Sequence, residues 1–180
     1  ILGILPFEEE FFNNYKINCS YVGSPIYDRV YKYQANSSFS REKNLQSQIS
    51  FFLGSRKQEF LHHIASTIAV IKILKQTLST YKFCIHIAPS LSELWVNEVL
   101  DNNFAQADRE TKNIIATTCF STEASLALMA SSECCLVVSG TAAFECFLLG
   151  TPMAVMYKTG MLSAFIGLRV LQVPFISLPN

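Results

Sequence analysis

The sequence predicts an α/β fold, a parallel sheet with helices on both faces, and three observations carry that expectation. From Ser50 onward short β-rich runs alternate with longer helical ones, the short runs are almost continuously apolar, and Gly or Pro punctuates several junctions. Strand–helix alternation is the mark of parallel strands joined by crossover helices, and a strand covered on both faces has no polar side to show.

Residues 1–47 behave differently. They have an apolar start, a polar middle at "QANSSFSREKNLQSQ" and no helix–strand alternation, which reads as the end of a preceding unit followed by a linker. Residues 48–180 read as one domain. Its first strand is "QISFFLG" (48–54). A helix over 57–80 follows, because Leu61, Ile64, Ile68, Ile71, Leu74 and Leu78 recur at three- and four-residue steps and line one stripe. "FCIHIA" (83–88), "NIIATTC" (113–119), "CCLVVS" (134–139) and "MAVMY" (153–157) supply four more strands, separated by shorter helices at 91–103, 122–131 and 141–149 and followed by one at 161–172. Pro89, Gly150-Thr151-Pro152 and Gly160 mark the breaks.

Composition narrows the function classes. Half of the 180 residues are hydrophobic and 16% are charged, the balance of a chain that buries a sizeable core. Lys+Arg and Asp+Glu are equal at 14 each, so no net field draws nucleic acid. No apolar run reaches the roughly 18 residues of a membrane span, and "MLSAFIGLRVLQV" (161–173) is broken by Arg169 and Gln172. The start, "ILGILPFEEEFF", lacks the basic region and small-residue cleavage site of a signal peptide, and beginning on Ile1 it reads as a piece of something longer. Six cysteines without C-x-x-C spacing fit reduced, buried thiols in a cytoplasmic protein.

Ligands of open parallel sheets bind beyond the carboxyl ends of the strands. Two segments meet that condition: Gly54-Ser55-Arg56 before the long helix, and Ser139-Gly140-Thr141 before the helix at 141–149. Each helix start offers backbone N–H groups and the positive end of a dipole, so each is expected to hold a phosphate. Arg56 adds a permanent charge with a planar fork of donors. Glu145 stands one turn beyond Thr141 on the same side, where a carboxylate suits the hydroxyls of a ribose better than the phosphates themselves. A nucleoside diphosphate is the expected guest.

At these residues the sequence resembles the lipid-A-disaccharide synthases, bacterial glycosyltransferases of two Rossmann-like domains, the arrangement called GT-B. Matching stretches are "ILPFEEEFF" with "YVGSP", "GSRKQEF" (54–60), "SGTAAFECFLLGTPMAVMYK" (139–158) and "SLPN" (177–180). The resemblance implies one Rossmann-like half of a GT-B fold. It also implies transfer, with inversion, of 2,3-diacylglucosamine from its UDP derivative to 2,3-diacylglucosamine 1-phosphate, releasing UDP. Arg56 and Asn180 would then be catalytic, and Gly54, Ser55, Ser139, Gly140, Thr141 and Glu145 would bind substrate. No metal or other cofactor is implied, since a helix dipole and basic side chains suffice for a leaving diphosphate.

The same resemblance implies an N-terminal acceptor domain, missing here, that supplies the catalytic carboxylate, so this chain would be the donor-binding half and inactive alone. It further implies peripheral contact with the inner face of the bacterial inner membrane. Leu53 departs from the family, which usually has proline there. The residues by themselves also fit a non-catalytic nucleotide-binding module or another GT-B sugar-nucleotide enzyme. An NAD-dependent dehydrogenase is disfavoured, because no G-x-G-x-x-G follows a predicted strand.

Other candidates are set aside. Adjacent His62 and His63 point in different directions and read as surface or partly buried residues, while His86 reads as a hydrogen-bonded core histidine. Cys134 and Cys135 face opposite sides of their strand and read as packing. Asp28, Glu93, Glu98 and Asp101 read as solvated acids, and Tyr27, Tyr31 and Tyr33 as linker residues able to pack on the missing domain. The apolar helix at 161–171 reads as a core helix before it reads as a lipid contact.

Overall fold

The structure is a computed structural model describing residues 1–36 and 46–156. The chain divides into two compact units, Ile1–Ser40 and Arg41–Asn180.

The first unit corrects the expectation of no helix–strand alternation: β1 (Leu2–Gly3), α1 (Pro6–Asn14), β2 (Ser20–Tyr21) and α2 (Pro25–Asn36) follow one another. Leu2 pairs with Ser20 and Gly3 with Tyr21 in a parallel ladder. Strands of two residues leave no periodicity to read, which is why the pattern was hidden. The start of α1 is local chemistry: Pro6 opens the helix, and Glu8 Oε2 accepts from the N–H groups of Ile4 (2.6 Å) and Leu5 (2.7 Å). Tyr27 and Tyr31, one turn apart on α2, are exposed and stack with ring centroids 6.4 Å apart.

The second unit is a five-stranded parallel sheet in the order β5-β4-β3-β6-β7, with β3 at Gln46–Phe52, β4 at Lys82–His86, β5 at Cys119–Ser121, β6 at Ser132–Val138 and β7 at Met153–Met156. Its helices are α3 (Lys57–Thr77), α4 (Glu93–Phe104), α5 (Arg109–Thr117), α6 (Ser125–Ser131) and α7 (Thr141–Leu149). The chain moves outward from β3 through β4 to β5, then returns to the other side of β3 for β6 and β7. That is a Rossmann-like order, and its direction reverses between β3 and β6.

Alternation along β3 assigns the two faces. Ile49 and Phe51 join Phe60, Ile64, Ile68 and Ile71 of α3, Val96 and Leu100 of α4 and Ile114 of α5 in one cluster. A fully buried side chain such as Phe51 or Phe60 contributes about 1.5–3 kcal/mol. The opposite face carries Ser50, whose Oγ lies 2.7 Å from Ser132 Oγ, while Ser132 donates to the Leu128 carbonyl of α6 at 2.6 Å. Gln48 Nε2 donates to both serines, so these buried hydroxyls are satisfied.

Three expectations shift. On α3 the buried row is Phe60–Ile64–Ile68–Ile71, and Leu61 is 41% exposed, because the helix begins at Lys57 and the i, i+4 row through Phe60 faces the sheet. His63, read as a surface or partly buried residue, is buried on that helix. "NIIATTC" is not a strand: residues through Thr117 are helical and β5 starts at Cys119. Its β-branched residues are overridden by a start signal upstream, where Asp108 caps α5 by accepting from the Thr111 N–H at 2.6 Å. Lys72 of α3 then pairs with Glu110 at 2.7 Å. The helix expected at 161–172 lies outside the described residues. Among the described residues no helix is long and apolar enough to cross a membrane.

Candidate functional site

At the carboxyl ends of β3, β4 and β6, a cleft of about 390 Å³ opens where the strand order reverses, within the size range of small-ligand sites. Gly54, Ser55 and Arg56 line it from the β3–α3 junction, and Ser139, Gly140, Thr141 and Glu145 from the β6–α7 junction. Seven of the eight residues expected at the site therefore share one cavity; the eighth, Asn180, lies outside the described residues. Arg56 and Glu145, the cation and the carboxylate singled out from the sequence, are both on its wall.

Each side of the cleft is built locally. Strand β6 runs out at Val138, Gly140 occupies the N-cap of α7, and Thr141 begins the helix. Glu145 stands one turn up and is 5% exposed. The helix ends where Gly150 adopts φ +68° and its N–H returns to the Cys146 and Phe147 carbonyls.

On the other side the loop closes on Glu59. Its Oε2 accepts from the Ser55 N–H at 3.1 Å and the Arg56 N–H at 3.3 Å, and its Oε1 accepts from Arg56 Nη1 at 2.7 Å. This corrects one expectation: the Ser55 and Arg56 amides at the start of α3 are not open donors for a phosphate, because a carboxylate of the same helix occupies them. The Arg56 side chain remains 80% exposed, so its other guanidinium hydrogens face outward. Burial works against ionisation of Glu59, but the Arg56 side chain, the two backbone N–H groups and the positive charge together hold its carboxyl below the usual range.

Two titratable residues that line the cleft, Glu59 and His86, were not among those expected there. Glu59 had a readable signal, a glutamate at the third position of a helix, the spacing of a capping box. His86, read as a hydrogen-bonded core histidine, is indeed buried, and as the last residue of β4 it also lines the cleft. Its ring lies 5.1 Å from that of Phe52. Burial holds its imidazole below the usual histidine range, opposed by a hydrogen bond with the Glu123 backbone.

Chemically, the walls offer a guanidinium, a buried carboxylate, the start of α7 and a histidine that burial keeps neutral near pH 7. Among the described residues no group of three or more His, Cys, Asp or Glu is placed to hold a metal ion.

The family model described as lipid-A-disaccharide synthetase matches residues 1–180. The chain belongs to the lipid-A-disaccharide synthetase family. It is a family of glycosyltransferases of lipid A and lipopolysaccharide biosynthesis. Curated relatives named lipid-A-disaccharide synthase agree. The one from Syntrophus aciditrophicus (strain SB) is 31% identical across 98% of this chain and 44% of its own length. Those from Wigglesworthia glossinidia brevipalpis and Vibrio campbellii are 29% and 25% identical across the whole chain, and 45% and 46% of theirs. The chain thus spans less than half the length of these synthases. Two of the stretches that suggested this synthetase family, "GSRKQEF" and the "SGTAAFE" that opens the longest one, supply the segments that meet at the cleft.

Proposed function

We propose that this chain is the donor-binding part of an inverting hexosyltransferase of lipid A biosynthesis. Its cleft takes UDP-2,3-diacylglucosamine, and the whole protein transfers the sugar to 2,3-diacylglucosamine 1-phosphate and releases UDP. The observation that supports this reading is the convergence of Arg56 and Glu145 on one cleft at the reversal point of a parallel sheet, in a chain of this family.

The roles follow from charge and reach. The start of α7 and the Arg56 guanidinium meet the diphosphate, whose negative charge grows as the bond to the sugar carbon breaks, so they stabilise the leaving UDP. The two oxygens of Glu145 accept from the ribose hydroxyls, which keeps the carboxylate one turn away from the phosphates. Asn180 is assigned a catalytic role from the "SLPN" match alone. The base that activates the acceptor hydroxyl belongs to an acceptor domain outside this sequence, so the isolated chain binds donor and does not turn it over. An acylated donor also accounts for peripheral contact with the inner face of the inner membrane.

Calorimetric titration of the chain with UDP tests the proposal. Weak binding is expected, with Glu145→Ala removing it. Unchanged affinity in that variant rejects the ribose role. Comparing acylated with non-acylated UDP-N-acetylglucosamine then separates this reading from another sugar-nucleotide enzyme of the same architecture.

A further inference from the structure

We propose that Glu59 is a positioning residue of the cleft: its carboxylate ties the Arg56 guanidinium to the backbone of its own loop, so that a diphosphate meets a cation already aimed. The inference rests on the diphosphate reading of the cleft and adds a residue to it.

One carboxylate makes two kinds of bond. Oε2 accepts from the Ser55 and Arg56 N–H groups, which fixes Glu59 relative to the loop, and Oε1 accepts from Arg56 Nη1, which fixes the guanidinium relative to Glu59. A long arginine side chain that is 80% exposed samples many rotamers when nothing holds it. Here it is held at one nitrogen, and the remaining donors of the planar fork stay available to phosphate oxygens.

The loop is shaped around this contact. Gly54 has φ +95°, and its α carbon packs so closely on Glu59 that no side chain fits between them. The Ser90 hydroxyl donates to the Ser55 carbonyl, anchoring the loop from the β4 side. As a surface ion pair the Arg56–Glu59 contact adds little stability. Its value is orientation, since Glu59 also lines the cleft and a carboxylate beside a diphosphate would otherwise repel it.

A double-mutant cycle on the full chain tests the inference, with UDP and uridine as probes and calorimetry as readout. Arg56→Ala and Glu59→Ala are each expected to weaken UDP about threefold to tenfold and to leave uridine unchanged. Adding Glu59→Ala to Arg56→Ala is expected to produce no further loss, because Glu59 acts through Arg56. Glu59→Gln, which keeps an oxygen for the loop amides but loses the charge, is expected to fall between wild type and Glu59→Ala.

Additive losses, or an equal loss of uridine affinity in Glu59→Ala, would overturn the positioning role and leave the site reading intact. A wild-type affinity that Arg56→Ala does not change, or no UDP binding at all, would overturn the site reading and the inference with it. If Glu59→Ala fails to fold in thermal melts, the Glu59→Gln arm decides: wild-type UDP affinity there overturns the role, and a selective UDP loss absent in the Arg56→Ala background supports it.

Discussion

A methyl group on the α carbon of Gly54 would stand 2.2 Å from Glu59 Oε2 and 2.8 Å from Glu59 Cβ. The glycine of "GSR" is thus required by a neighbouring carboxylate and by its own φ of +95°, before any ligand enters. The junction of β3 with α3 is a preformed loop.

Gly54→Ala is therefore expected to destabilise the chain by about 1–3 kcal/mol, the range for a residue forced into a conformation it avoids. Urea denaturation followed by far-ultraviolet circular dichroism reads this as a lower midpoint at unchanged slope. Combining it with Glu59→Ala, which removes the carboxylate but keeps the β carbon, should cost less than the two losses summed. An unshifted midpoint for Gly54→Ala would contradict the packing.

His86 makes stability depend on pH. Its folded pKa is depressed by burial, so between that value and the ordinary one near 6.5 the unfolded chain binds more protons than the folded one. The contribution is fully present above about pH 6.5 and is lost as pH falls through the depressed folded value. His86→Gln should flatten this part of the stability curve, measured as unfolding free energy at several values between about pH 7 and pH 5. An identical slope in the variant would exclude His86 as the source.

Thiol chemistry should follow burial. Cys84 is pushed up to about 12 by burial, with a hydrogen bond to Cys119 adding to it, and Cys146 is raised by its hydrogen bond with Cys135 and then by burial. All six cysteines are free, and Cys119 and Cys134 are only half-buried. Iodoacetamide at neutral pH is expected to label Cys119 and Cys134 first, with Cys19, Cys84, Cys135 and Cys146 labelled only after unfolding, as read by mass spectrometry. Early labelling of Cys84 or Cys146 would show that the sheet opens there.

Much of the second unit was legible in the chain itself. The apolar runs at 83–88, 134–139 and 153–157 and the run ending "ISFFLG" anticipated β4, β6, β7 and β3, because apolar side chains concentrate where strands cross the core, and the helix expected at 141–149 coincides with α7, which Gly150 closes. The first unit was hidden by strands of two residues, and α5 by a β-branched run that the Asp108 cap overrides. Both failures have one cause. Periodicity needs several residues to register, whereas a single hydrogen-bonded cap can set the start of a helix.

The sequence by itself determined the β3–α3 and β6–α7 junctions, with Gly54-Ser55-Arg56 at one and Ser139-Gly140-Thr141 at the other, because glycines and apolar period are local properties. Only the tertiary structure decided that Arg56 and Glu145 share a cleft, that Glu59 already holds the amides beside Arg56, and that His86 lines the same cleft. Strand order is fixed by packing between elements distant in the chain, and which donor meets which carboxylate depends on the side-chain positions that packing leaves.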